Sequence, residues 1–244
     1  EDKALLSTEE ASGAEKAELL IVIPAYNEAE NIERVVNHLT ANFPQYDYVV
    51  VNDGSRDETA AICQRNGYNL LNLPVNLGLA GAFQAGLKYA DKYGYQYAVQ
   101  LDGDGQHRPE YLESMIKKME EGYDIVIGSR FVGEKKPFTM RMLGSNLIEM
   151  AIRFTTGVNI KDPTSGMRMF SKRMIREFAS GLNYGPEPDT VSYLIRQGAR
   201  VAEVPVIMDE RILGVSYLTP VNAMRYMLKM LISILLIQNF RKRR

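Results

Sequence analysis

Asp102-Gly-Asp104 follows the apolar run Tyr97-Ala-Val-Gln-Leu101, so two carboxylates leave the end of one strand together. Hard oxygen donors at that spacing suit Mg2+ or Mn2+ shared with phosphate oxygens. Gly103 and Gly105 let a diphosphate approach the backbone, and Gln106 adds a neutral oxygen at the next outward position. Asp102, Asp104, Gln106 and Glu113 also stand at EF-hand ligand spacing. That reading fails because the obligatory loop glycine is replaced by His107, Pro109 interrupts the loop and a strand precedes it. His107 is read as a brace for the loop. Two more polar clusters close apolar runs, Ala25-Tyr-Asn-Glu28 and Asp53-Gly-Ser55. No G-x-G-x-x-G or G-x-x-x-x-G-K-[ST] follows the first strand, which excludes a dinucleotide fingerprint and a P-loop. The small residues from Gly78 to Gly86 lack both spacings and are read as a helix face that packs closely on a sheet.

The elements that must position these clusters are legible in the hydrophobic pattern. Continuous apolar runs at 18–24, 48–52, 68–73, 97–101 and 124–128 read as buried strands. They alternate with helical periodicity at 31–39, capped by Asn27, and at 59–66, 78–93 and 109–121. Such alternation indicates βαβ units and a mostly parallel sheet covered on both faces. Ligands in such sheets bind outside the carboxyl ends of the strands, where all three polar clusters fall. Beyond Gly128 the pattern loosens, with helices expected near 143–155, 172–178 and 189–196 and a strand over 200–207.

Composition bounds the remainder. The chain has 244 residues, 45% of them hydrophobic and 24% charged, enough for one sizeable core. A net charge of −1 speaks against a general nucleic-acid binder. The single Cys63 excludes an internal disulfide framework, suits a reducing compartment, and reads as a small buried residue on a helix. Residues 1–17 show no apolar periodicity and are expected to be a disordered lead or a remnant of expression, leaving 18–218 as the catalytic domain. No run resembles a secretory signal, and none approaches the roughly 18–20 apolar residues of a membrane span. Residues 219–244 are rich in Leu, Ile and Met and end in Arg241-Lys242-Arg243-Arg244. Apolar content with a basic flank suits an amphipathic helix in a membrane interface.

Taken together, Ile23-Pro-Ala-Tyr-Asn-Glu28, Val51-Asn-Asp-Gly-Ser-Arg-Asp57, Asp102-Gly-Asp-Gly-Gln-His107, Gly128-Ser-Arg130 and Asp162-Pro-Thr-Ser-Gly-Met-Arg168 resemble family 2 glycosyltransferases of the GT-A fold. Within that family the chain is most similar to dolichyl- and polyprenyl-phosphate sugar synthases, over about residues 19–218. The resemblance implies an α/β catalytic domain and an inverting, Mg2+- or Mn2+-dependent transfer of a hexose from a UDP- or GDP-linked donor to a polyprenyl phosphate. It implies that Pro24, Tyr26, Glu28, Val51 and Asp53 form the base and ribose pocket. Asp102, Asp104 and Gln106 hold the metal, and Gly103 lies against the donor. Arg130 and Arg211 meet phosphates and, with Asp104, carry the catalysis. Arg141, Ser145 and Ser216 match an acceptor-phosphate site. Arginine fits such positions because its planar fork binds phosphate oxygens bidentately. The setting implied is the cytoplasmic face of the cell membrane, in cell-envelope glycan synthesis, with a small membrane protein as a further partner.

The chain departs from the family pattern at three places. Asn52 stands where the usual Asp-Asp-Gly-Ser begins with a carboxylate, Tyr217 stands where a lysine is usual, and Gly185-Pro-Glu-Pro-Asp189 is unlike the dolichyl-phosphate enzymes. That last segment offers Glu187 and Asp189 as acids on the acceptor side. A phosphate acceptor is already ionised near pH 7, its second pKa being about 6, whereas a sugar hydroxyl needs a general base. The sequence therefore leaves open a transferase that extends a polysaccharide, with Glu187 or Asp189 as base. It also leaves open a non-catalytic membrane scaffold.

Overall fold

The computed structural model describes residues 17–134, 136–137, 139–181, 185–209 and 220–239. Among the described residues seven strands form one sheet: β1 (Leu19–Ala25), β2 (Asp47–Asn52), β3 (Leu70–Asn72), β4 (Tyr97–Gln100), β5 (Ile125–Ser129), β6 (Arg168–Ser171) and β7 (Val201–Pro205). The described helices are α1 (Ile32–Asn42), α2 (Thr59–Arg65), α3 (Gly78–Tyr93), α4 (Leu112–Glu120), α5 (Met140–Thr156), α6 (Lys172–Ser180), α7 (Pro188–Arg196) and α8 (Pro220–Leu235). The strand order is β3-β2-β1-β4-β6-β5-β7, parallel throughout except at β6, which runs antiparallel to both β4 and β5. The mostly parallel α/β sheet expected from the sequence is present, and β6 is the strand its pattern does not announce.

Alternation along the strands divides the core in two. Leu19, Ile21 and Ile23 face a cluster closed by Ile32, Val36, Ile62, Cys63, Leu112 and Met115. Leu20 and Val22 face the other side, where Phe83, Ile148, Ile152, Phe178, Leu194, Met230 and Ile234 close the cluster. Phe170 lies between Phe83 and Phe178, with ring centroids 5.7 and 5.1 Å away. Each such buried side chain contributes roughly 1.5–3 kcal/mol. The small-residue face of α3 packs against β1 as expected, since a Cβ on Gly86 would lie 2.2 Å from Val22 Cγ1. The segment 219–244 was expected to be an appendage. Its described part is built into the fold, because α8 packs on α5 and α7 and supplies Met230 and Ile234 to the core.

One local expectation is corrected. Asn27 does not cap α1, whose N-cap is Asn31 without a side-chain capping bond. Asn27 instead adopts a positive φ of 54° and accepts a bond from the Arg56 N–H at 2.9 Å. Asparagine tolerates that left-handed geometry better than most residues.

Candidate active site

Strands β2, β1 and β4 lie side by side, so their carboxyl ends bring Asp53, the Tyr26–Glu28 turn and the Asp102 loop together. Sequence order reverses there, β1 to β2 running one way and β4 lying on the other side of β1, and such a switch point opens a crevice. The crevice is a cavity of about 360 Å3 lined by Pro24, Ala25, Tyr26, Glu28, Asp53, Asn76, Gly78, Leu79, Ala82, Asp102, Gly103 and Asp104. Seven residues assigned to donor binding by the family resemblance are thus in one wall set. Val51 is not among them, being fully buried in the core beneath. A Cβ on Gly103 would sit 3.1 Å from the Pro24 carbonyl oxygen, so the glycine keeps the two loops in close approach. A second cavity, of about 400 Å3, lies behind the Asp102 loop and is lined in part by Arg34, His38, His107, Arg108 and Asp209.

Each wall is held by hydrogen bonds between motifs. The Asn27 N–H donates to Ser55 Oγ at 3.0 Å, the Glu28 N–H to Thr59 Oγ1 at 2.9 Å, and the Ala29 N–H to Asp57 Oδ2 at 3.1 Å. Burial opposes ionisation of Asp57, but bonds from Thr59 and Ala29 outweigh it and bring its carboxyl below the usual carboxylate range. Glu28 accepts from Asn31 Nδ2 at 2.8 Å. Asp53 Oδ1 accepts the Leu77 N–H at 2.7 Å, fixing the entry to α3. Burial nonetheless raises the Asp53 carboxyl above its ordinary value, against the pull of the Leu77 and Gly78 N–H groups. Asn52 donates to Asn72 Oδ1 at 2.6 Å and accepts from the Ser55 N–H at 3.3 Å, so the amide serves both sides where the family has a carboxylate.

The Asp102–Asp104 loop is braced the same way. His107 Nδ1 accepts the Asp102 N–H at 3.0 Å, which leaves the ring proton of a neutral imidazole on Nε2, 3.6 Å from Asp102 Oδ2. Histidine is the brace the sequence indicated. Gln100 donates to Asp102 Oδ1 at 2.9 Å, and the Gln106 N–H donates to Asp104 Oδ1 at 3.0 Å. Gln106 Nε2 donates to the Asp209 carbonyl at 3.2 Å, and Arg108 pairs with the Asp209 carboxylate. Among the described residues no three His, Cys, Asp or Glu side chains converge on one metal position. Two carboxylates beside an open cavity fit a hard divalent ion whose remaining positions are filled by phosphate oxygens.

The remaining candidates divide. Arg130 is not among the residues lining the crevice; its Nε and Nη2 bind both oxygens of Asp162 at 2.7 and 2.8 Å, and its N–H adds a third bond at 3.1 Å. Arg141 falls in the first turn of α5, and Ser145, on the same helix, has a buried Oγ without a hydrogen-bond partner. Arg211, Ser216 and Tyr217 lie outside the described residues. Glu187 accepts a bond from the Tyr226 hydroxyl of α8, and Asp189 Oδ2 accepts from Ser233 and Gln238 at 2.6 and 3.2 Å. Both acids therefore tie α7 to α8. Cys63 is buried on α2, its thiol pushed up to about 11 by burial, so it is no nucleophile. Sequence reasoning assigned no role to Asn76, Asp162, Arg168, Glu203 or Tyr226. The Asp162 to Arg168 motif was the available signal for two of them.

A family model described as glycosyl transferase family 2 matches residues 20–178. A polyprenol monophosphomannose synthase of Mycolicibacterium smegmatis is 32% identical over 223 residues, covering 86% of this chain and 84% of the relative. An undecaprenyl-phosphate mannosyltransferase of Micrococcus luteus is 31% identical over 210 residues, covering 81% and 86%. Among solved structures, glucosyl-3-phosphoglycerate synthase from Mycobacterium tuberculosis, in complex with Mn2+, UDP and glucosyl-3-phosphoglycerate, superposes with a TM-score of 0.64. It is 20% identical, with 95% of this chain and 86% of that chain covered, and the likeness establishes the GT-A fold.

Proposed function

Because the chain belongs to glycosyl transferase family 2, we propose that this glycosyltransferase moves a hexose, with inversion, from a UDP- or GDP-linked donor to a polyprenyl phosphate. The observation that carries the reading is the single crevice in which Glu28, Asp53, Asp102 and Asp104 meet. Glu28 and Asp53 offer carboxylates to the nucleoside, with Tyr26 and Pro24 as apolar walls. Asp102 and Asp104 would hold Mg2+ or Mn2+, with Gln106 beside them. A bound divalent ion neutralises charge on the departing diphosphate. Arg130 and Arg211 add positive charge for the same oxygens. The acceptor oxygen forms its bond to the anomeric carbon as the bond to the diphosphate breaks, and attack from the opposite face inverts the centre.

Arg141, Ser145 and Ser216 are assigned to the acceptor phosphate, which needs positioning more than deprotonation. The orphaned Ser145 hydroxyl supports this, because a buried donor without a partner is costly unless a ligand satisfies it. The bonds from α8 to Glu187 and Asp189 favour a phosphate acceptor over a sugar hydroxyl, since both carboxylates are occupied as clamps. The relatives named above are a polyprenol monophosphomannose synthase and an undecaprenyl-phosphate mannosyltransferase, which supports a polyprenyl-phosphate acceptor. We assign the working position to the cytoplasmic face of a membrane, with α8 and the basic residues after it as attachment and a small membrane protein as companion. The test is transfer of radiolabel from a panel of UDP- and GDP-sugars, with Mg2+ or Mn2+, into an organic-extractable polyprenyl-phosphate product. Label that enters only a polysaccharide would overturn the acceptor.

A further inference from the structure

Arg168 opens β6, the one antiparallel strand, and is 5% exposed. Its Nη2 donates to the Pro163 carbonyl at 2.7 Å, while its buried Nε has no hydrogen-bond partner. A cation taken from water with so few bonds is expensive unless its charge has a use. Burial pulls the guanidinium below its ordinary value, and the carboxylates that oppose this are those of Glu187, Asp162 and Asp102. Arg168 is thus a buried cation set among carboxylates of the Asp102 loop, the loop before β6 and the start of α7.

The bond to Pro163 gives that position a mechanical consequence. Residues 161–165 form a loop gripped from several directions. Glu203 of β7 accepts the Lys161 and Asp162 N–H groups at 2.7 and 2.8 Å, and Ser165 Oγ donates to the Gly128 carbonyl at 2.5 Å. The same loop presents Asp162, wholly buried, whose two oxygens take Nε and Nη2 of Arg130. The Arg130 guanidinium is therefore aimed by Asp162, and Asp162 by a loop that Arg168 holds next door at Pro163.

We propose that Arg168 is a positioning residue for the donor site, acting through Pro163 and Asp162 to fix the Arg130 guanidinium, whose edge away from Asp162 is the one left to meet the diphosphate. The proposal rests on the reading of Arg130 given above. A double-variant cycle tests it: Arg168→Met, Arg168→Lys, Arg130→Ala and the Arg168→Met/Arg130→Ala pair. Calorimetry of UDP and GDP binding with Mn2+ is run beside thermal melting of each protein. Arg168→Met should weaken nucleotide binding about tenfold when Arg130 is present, yet less than about twofold in the Arg130→Ala background. Arg168→Lys, which keeps the charge and a donor for the Pro163 carbonyl, should recover most of the loss. Equal losses in both backgrounds, or a lowered melting temperature with unchanged affinity in Arg168→Met, would overturn it. Should Arg168→Met not fold, the cycle is run with Arg168→Gln, which removes the charge, and Arg130→Ala, on the same criterion of non-additivity. If Arg130→Ala alone leaves affinity intact while the native protein binds nucleotide, Arg130 leaves the donor site and the proposal falls with it. Absence of nucleotide binding by the native protein would instead strike the donor reading itself.

Discussion

At the scale of single residues, the site rests on which carboxylates only hold the walls together and which also stand on the cavity. Asp162 is wholly buried and paired with Arg130, and Glu187 and Asp189 are bound to α8, so these acids shape the walls. Asp102 and Asp104 stand on the cavity. Asp104→Ala should therefore cut transfer at least about a hundredfold, since metal stabilisation of a leaving diphosphate is worth several kcal/mol, with little change in melting temperature. Full activity in excess chelator would remove the metal from the reading. The acceptor is decided by a second pair of variants. Loss of a charge-assisted phosphate contact costs about 1.5–3 kcal/mol, so Arg141→Ala should weaken use of a polyprenyl phosphate roughly ten- to a hundredfold with donor affinity unchanged. Glu187→Gln should keep a substantial rate, because an ionised phosphate needs no base. The reverse pattern, with Glu187→Gln dead and Arg141→Ala normal at saturating donor, points to a sugar hydroxyl.

At the scale of elements, Asp124 shows how the least regular part of the sheet is held. It precedes β5, accepts from Arg173 Nε and Nη2 at 2.8 and 2.5 Å, and takes the Arg200 N–H at 2.9 Å ahead of β7. Burial would raise its carboxyl, but Arg173 and the Arg200 N–H prevail and set it below the ordinary range. A depressed carboxylate contributes stability above its unfolded value, near about 4, and loses it as pH falls through the folded value. Asp124→Asn should cost roughly 1–2 kcal/mol at pH 7, discounted for the exposure of Arg173. The gap between the two melting curves should close below about pH 4, and a gap independent of pH would contradict the assignment. These contacts also mark where the sequence stops being readable. β1, β2, β4 and β5 are apolar runs that end at polar clusters, so their order, helices and shared rim follow from pattern alone. β6 is four residues long and begins with a buried arginine, giving no periodicity to find. The carboxylates lining the crevice were legible because they sit at strand ends. The Asp162–Arg130 pair and the α8 bonds to Glu187 and Asp189 were not, because their partners lie 32 to 49 residues apart and meet only through packing.

At the scale of the whole molecule, none of the described helices is long and apolar enough to cross a membrane. The outer faces of α5 and α8 nevertheless keep large apolar side chains in the open. Leu143, Leu147, Met150 and Phe154 follow one another at helical spacing on α5, with Phe154 86% exposed, and Met224, Leu228, Ile232 and Leu235 do so on α8. The two helices pack against each other, which brings two apolar stripes to neighbouring positions. Arg153, Arg225 and Lys229 are exposed on the same helices, and four basic residues follow in the sequence. Apolar stripes beside cations are what an anionic bilayer surface recognises, the apolar part entering the acyl boundary and each basic residue adding about 1 kcal/mol. On the attachment proposed above, a Phe154→Glu/Leu228→Glu protein would lose two insertions worth roughly 1.5–3 kcal/mol each. Its sedimentation with vesicles containing anionic lipid should fall more than tenfold, while transfer to a short, water-soluble prenyl phosphate continues. Removing residues 241–244 should instead weaken binding mainly at low salt, because screening already suppresses that contribution at high salt. Unchanged sedimentation in both proteins, together with a native dimer that becomes a monomer in the double variant, would assign the face to a second copy of the chain and leave the crevice chemistry untouched.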